Sequence, residues 1–220
     1  MEAEKRRPLE RLDTKRAYER IREWITTLEL APGSVIDDGK LADDLGMGVV
    51  PVREALKLLA HENLVTITPR HGLYVADVNI PDLERLSEMR LALEGLSARL
   101  AAQRATADDI TVLEALRHEQ AGTPADDSRR LIDVDHKFHQ AIARATQNNY
   151  LADSLERLFG LSQRLWCLAL PQLGFLPSAV EKHLELVEAI KSNDPDRAEQ
   201  IMRRHVQDFY DQVRQVLAGK

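Results

Sequence analysis

The stretch from Leu41 to Val75 constrains this 220-residue chain more than any other. Leu41, Ala42 and Leu45 give a short helix one apolar face, and Gly46 suits the left-handed residue that ends it. Pro51 fits the opening position of a second helix, where its missing N–H costs nothing. Val52, Ala55, Leu56 and Leu59 continue that helix at the expected spacing, and Asn63 marks its stop. Val65, Thr66 and Ile67 read as a strand, Pro69 to Gly72 as a turn, and Leu73, Tyr74 and Val75 as the returning strand. Two short helices, a tight turn and a hairpin make a winged helix-turn-helix, whose second helix is shaped for a DNA major groove.

Charge does not advertise such a role. The net charge is −6, divided as −2 up to Asp77 and −4 beyond it, so affinity for DNA must come from local placement. Arg53 points from the first turn of the second helix, Lys57 follows one turn later on the same face, and Arg70, His71 and Gly72 occupy the wing tip. A basic leading segment (Lys5, Arg6, Arg7, Arg11, Lys15, Arg16, Arg20 and Arg22) carries interleaved acids and reads first as a solvated helix face. The single cysteine, Cys167, excludes an internal disulfide and a thiolate zinc cluster. No apolar run approaches the roughly 20 residues of a membrane helix, and the opening residues lack a signal peptide's apolar segment, so a cytoplasmic protein is expected.

The composition fits two modest domains, 1–77 and 78–220. Beyond Pro81 no strand pattern persists. Six helices are expected at about 82–104, 107–120, 127–146, 149–170, 178–192 and 195–218, with Asn148 and Asp194 as N-caps and a break from Pro171 to Pro177. The fold class is therefore mainly α: a winged helix-turn-helix followed by an all-α bundle of six or seven helices.

The inward stripes of that bundle carry unexpected chemistry. Ala198, Ile201, Met202, Val206, Phe209 and Val213 form one apolar face, with His205 inside it. Val180, Leu184, Val187 and Ile190 form another around His183, and Leu131, Phe138 and Ile142 a third around Asp135 and His139. Asp135 and His139 are four apart and leave the same side of their helix. Buried imidazoles and a buried carboxylate are costly unless paired or bound to a metal. Three histidines and an aspartate suit Zn²⁺ or Ni²⁺ first, then Mn²⁺ or Fe²⁺. His61, His71, His118 and His136 fall outside this set.

Two resemblances span most of the chain. Pro51-Val52-Arg53-Glu54-Ala55-Leu56, with Leu58-Leu59, Asn63-Leu64-Val65 and the upstream Ile21, Ile25 and Leu30-Ala31-Pro32-Gly33, resembles the DNA-binding domain of the GntR family of bacterial transcription regulators. That family usually carries a Ser or Thr, an Arg and a Thr before the Pro, where this chain has Gly48, Val49 and Val50. The departure removes a helix cap and a base- or phosphate-contacting arginine, and implies weaker or differently specific DNA binding, or its loss. Asp135-His136-Lys137-Phe138-His139, the helix start at Asn148, His183 and His205 resemble the ligand-binding domain of the family's FadR branch, in whose metal-binding members an Asp and three His hold a divalent ion.

The resemblance implies a homodimer on operator DNA, controlled by a small organic acid that Arg90 grips; a salt bridge to Glu94 is the competing role for that arginine. Arg164 is a second ligand candidate, while Trp166 and Phe175 are expected to pack. The same metal site admits a hydrolase-like enzyme, against which no further inward carboxylate or histidine stands ready as a base, or a direct metal sensor.

Overall fold

The structure, a computed structural model, describes the backbone of residues 2–173 and 177–218 and the side chains of residues 12–79, 81–169 and 181–216. The chain divides into two compact units, Met1–Val78 and Asn79–Lys220.

The first unit holds α1 (Glu2–Thr26), β1 (Val35–Ile36), α2 (Asp38–Leu45), α3 (Val49–His61), β2 (Val65–Thr68) and β3 (Gly72–Val75). Ala17, Ile21 and Ile25 of α1 are fully buried and share a core with Val52, Ala55, Leu56 and Leu59 of α3. Asp37 caps α2 through Lys40 N–H, and Gly46 ends it in the left-handed conformation (φ 62°). Asn63 turns the chain after α3 with φ 60°. The helix itself begins at Val49, two residues before the expected start, because Gly48 is extended and serves as N-cap. Pro51 is tolerated in that first turn, where backbone N–H groups have no intrahelical acceptor. Gly48 supplies no side-chain cap.

The expected hairpin forms, and its register pairs Val65 with Val75 and Ile67 with Leu73. A third strand, β1, pairs Val35 with Tyr74 and Ile36 with Leu73, giving the order β1-β3-β2. Two residues are too few to show alternation in sequence, which is why it escaped notice.

The second unit contains α4 (Ile80–Arg104), α5 (Ala107–Gly122), α6 (Ser128–Ala145), α7 (Asn149–Leu173), α8 (Pro177–Lys191) and α9 (Pro195–Ala218), six helices among the described residues. Asn79 caps α4, and Thr106 forms a capping box with Asp109 at the start of α5. Asn148 and Asp194 accept from Leu151 N–H and Arg197 N–H, as their positions predict. The fourth bundle helix runs past Pro171 to Leu173; a proline near a helix end forfeits one hydrogen bond without leaving helical φ.

The helices α4 and α9 pack most extensively. Gly95 permits this, since a Cβ there would lie 2.8 Å from Arg203 Cγ. Leu184, placed on an inward stripe by its spacing, is exposed instead, so the apolar face of α8 rests on Leu186, Val187 and Ile190. Val180 and Phe175 lie outside the described side chains. Among the described residues no helix is long and apolar enough to cross a membrane.

Candidate metal centre and nucleic-acid interface

Within the second unit, three helices deliver four ligand-bearing side chains to one point. The amphipathic α6 contributes Asp135 and His139 one turn apart, α8 contributes His183 and α9 contributes His205. One donor atom from each lies within 4.8 Å of the other three. His205 Nε2 stands 3.2 Å from His139 Nε2 and 3.3 Å from His183 Nε2. Asp135 reaches 3.6 Å from His183 Nε2 through Oδ1 and 3.9 Å from His139 Nε2 through Oδ2.

The outer edges of two rings are already committed. His139 Nδ1 faces Glu94 Oε2 at 2.9 Å, and His183 Nδ1 faces the side-chain oxygen of Gln120 at 2.7 Å. Because both partners are acceptors, each Nδ1 carries a proton, and in the neutral ring Nε2 turns a lone pair inward. Asp135 Oδ1 is buried with no hydrogen-bond partner. The interior therefore gathers more lone pairs than protons. Ligand bonds of about 2.0–2.1 Å around a tetrahedral cation separate nitrogen donors by roughly 3.3 Å. The donor set, its spacing and its outer hydrogen bonds fit a divalent cation.

The electrostatics follow from burial. Burial opposes ionisation of Glu94, but the charges of His139 and Arg90 outweigh it and hold the carboxyl well below its ordinary range. Burial likewise opposes charge on His139, and Glu94 overturns that effect and raises it. Asp135 is pushed up by burial, partly offset by His139 and Arg90. His183 is driven well below the usual imidazole range by burial and then by the His205 and His139 rings; burial and then His139 do the same to His205.

Arg90 lies at 5% exposure between Phe159 and Tyr210, its guanidinium 5.5 and 6.0 Å from their ring centres. Its Nε and Nη2 donate to Glu94 Oε1 at 3.2 and 2.5 Å. Glu94 is thus a second inward carboxylate at the site, beside Asp135. The salt bridge to Glu94 that competed for Arg90 is formed, and both Glu94 oxygens are engaged, Oε1 by Arg90 and Oε2 by His139. Gln120 escaped notice because α5 has no distinct apolar stripe against which to read an inward amide.

A cavity of about 550 Å³, counting its open mouth, reaches Arg90, Asp135, His139 and His205. Trp166 forms part of its wall, correcting its expected role as packing alone. Arg164 is fully buried and does not line it, so the geometry does not bring this second candidate to the site. His136 is turned away as expected, with Nε2 2.8 Å from Glu156 and its ring stacked on Phe159.

In the first unit, Arg53, Lys57, Arg70, His71 and Gly72 are all exposed. The two helical cations are not idle: Arg53 pairs with Asp38, and Lys57 donates to Glu54 at 2.7 Å. Arg53 holds the Asp38 carboxyl below its ordinary range. Gly72 (φ 118°) and Arg70 (φ 66°) make the sharp wing turn, which Tyr74 Oη ties to the His71 carbonyl at 2.9 Å. Val50 leaves the first turn of α3 at 66% exposure. On α1, Lys15, Arg16 and Arg20 pair with Glu19, Asp13 and Glu23, the pattern of a solvated face; Lys5, Arg6, Arg7 and Arg11 lie outside the described side chains.

Comparison with known proteins reaches both units. Residues 13–75 match the family of bacterial regulatory proteins called gntR, and residues 85–208 match the FCD domain. The chain is 27% identical over 202 residues to the HTH-type transcriptional repressor RspR of Escherichia coli strain K12, covering 90% of this chain and 88% of that one. It is 28% identical over 188 residues to the Nta operon transcriptional regulator of Aminobacter aminovorans, covering 86% and 88%. The solved structure of E. coli McbR/YncC superposes with a TM-score of 0.82 at 22% identity over 92% of this chain and 97% of that one, a likeness of fold.

Proposed function

Because this chain belongs to the gntR family of bacterial regulatory proteins and carries an FCD domain, we propose that it is a transcription regulator set by a divalent cation and a small carboxylate effector in its helical unit. Its relatives are named as regulators, not enzymes. The observation that carries the reading is the convergence of Asp135, His139, His183 and His205 beside Arg90 at one cavity. These four residues hold the cation, with Zn²⁺ or Ni²⁺ favoured by the imidazole-rich set over Mn²⁺ or Fe²⁺. Bound there, the cation would supply a Lewis-acidic centre that an anionic oxygen could join as a further ligand beyond the four protein donors. Glu94 and Gln120 orient two of the rings, and Arg90 offers its remaining N–H groups to the acid.

On the nucleic-acid side, α3 enters a major groove of operator DNA. Arg53 and Lys57 exchange their carboxylate partners for phosphates or base edges, and Arg70 and His71 contact the backbone from the wing that Gly72 shapes. A homodimer reading two half-sites completes the arrangement. Effector binding alters DNA affinity only in so far as the acid prefers one arrangement of the dimer over another.

Elemental analysis of the purified protein, together with operator binding measured at fixed salt, tests this reading. The expected result is one divalent ion per chain, a melting temperature that falls on chelation, and operator affinity that an organic acid alters only when the ion is bound. Metal-free protein whose melting temperature ignores both Zn²⁺ and Ni²⁺ overturns it. Operator affinity that tracks the metal with no acid present makes the cation itself the signal.

A further inference from the structure

We propose that the cavity beside the Asp135–His cluster accepts an elongated monocarboxylic acid, with an aromatic-sized apolar body and a neutral hydrogen-bonding far end, in preference to a compact acid or a polycarboxylate. The proposal rests on the reading that this cluster and Arg90 hold a carboxylate head, and it concerns what lies beyond that head.

Length is the first argument. Phe159 and Trp166 both line the cavity from α7, and His205 and Gln212 both line it from α9. Each pair is seven residues apart, so the cavity follows each helix for roughly 10 Å at 1.5 Å per residue. Ser162 and Tyr210, hydrogen-bonded at 2.7 Å, tie the two helices together within that span. An acetate-sized head fills one end only.

The distribution of polarity is the second. The inner end is charged and buried: Arg90, Asp135, His139 and His205. Apolar wall is supplied by Phe159, Val206, Phe209 and Trp166, the last two with ring centres 5.2 Å apart. Beyond Arg90 the cation that lines the cavity, Lys182, is already paired with Asp208, so a second carboxylate set against these rings is costly. A flat apolar body gains there, both by burial and by ring–ring contact.

The half-buried part of the lining, with Gln212 at its far end along α9, supplies the third argument. Gln163 and Gln212 bring amides, and Lys182 and Asp208 bring opposite charges already paired with each other. That border offers hydrogen bonds without net charge, so it selects a hydroxyl, amide or similar neutral group over a second anion.

The chain provides its own reporter, since Trp24 and Trp166 are its two tryptophans and Trp24 lies in the other unit. Full-length, metal-loaded Trp24→Phe protein is titrated with 3-(4-hydroxyphenyl)propionate, with the alcohol in which a CH₂OH replaces its carboxylate, with acetate and with citrate. Trp166 fluorescence and melting temperature are both read. The aryl acid is expected to quench the fluorescence and to bind at least tenfold more tightly than acetate, citrate or the aryl alcohol. Calorimetry on Trp166→Leu is expected to show at least tenfold weaker aryl-acid binding with acetate binding unchanged. Citrate or acetate binding as tightly as the aryl acid overturns the proposal and leaves the carboxylate reading standing. Equal binding of the aryl alcohol and acid, or no response to any of the carboxylates, overturns that reading and the proposal with it.

Discussion

Arg90–Glu94 in the helical bundle and Arg53–Asp38 beside the recognition helix are both arginine–carboxylate pairs, yet they sit in opposite environments. The side chains of the first pair are 6% and 3% exposed; those of the second are 61% and 24% exposed. In the bundle neither partner has water to fall back on, and Glu94 also holds His139, so the pair is a fixed part of the site. Beside α3, water and salt compete with the carboxylate, so exchanging it for another anion costs the arginine little. The same chemical pair thus stiffens one region and keeps the other exchangeable, and burial alone makes the difference.

The most damaging test of that contrast is Glu94→Ala. It strands a buried guanidinium and releases His139, and urea unfolding is expected to show a loss of about 3–5 kcal/mol. A loss under about 1 kcal/mol would place the bundle pair in the exposed class and break the comparison. His183→Ala follows. Its cost in metal affinity should exceed the roughly 10–100-fold typical of losing an outer hydrogen-bond partner. Chelation should then lower the wild-type melting temperature and leave that of the variant where it is, because binding stabilises only a fold that holds the ion.

Arg53→Ala is expected to weaken operator binding by about tenfold with the bundle's metal content unchanged, consistent with losing a phosphate or base-edge contact. Anisotropy titrations at matched salt check this, and unchanged affinity would remove α3 from the groove. Smallest is Asp38→Ala. Stability should shift by less than about 1 kcal/mol, while operator affinity rises a few-fold as Arg53 loses its competitor. A fall in operator affinity would mean that Asp38 positions the arginine for DNA instead of competing for it.

Much of this was legible before any coordinates. Gly46, Asn63, Asn148 and Asp194 announce helix ends through local backbone and capping chemistry, which depends only on nearby residues. Asp135, His139, His183 and His205 stand out because polar residues interrupt otherwise apolar stripes. Leu184 shows the limit of that logic: helical spacing places it inward, but the neighbours that α8 meets leave it exposed. Glu94 and Gln120 show the converse: the pairing of Glu94 with Arg90 is local, but each joins the histidine cluster only through a ring 45 or 63 residues away.

By itself the sequence determined the two-part plan, the winged helix-turn-helix and the four ligand-bearing residues, because periodicity, turns and caps are short-range properties of the chain. Only the tertiary structure decided that Glu94 joins Arg90 to His139, that Trp166 faces a cavity and Arg164 does not, and that Asp38 and Glu54 pair the helix's cations. Those facts depend on which helices meet and at what rotation, and packing sets that rotation across separations no local pattern records.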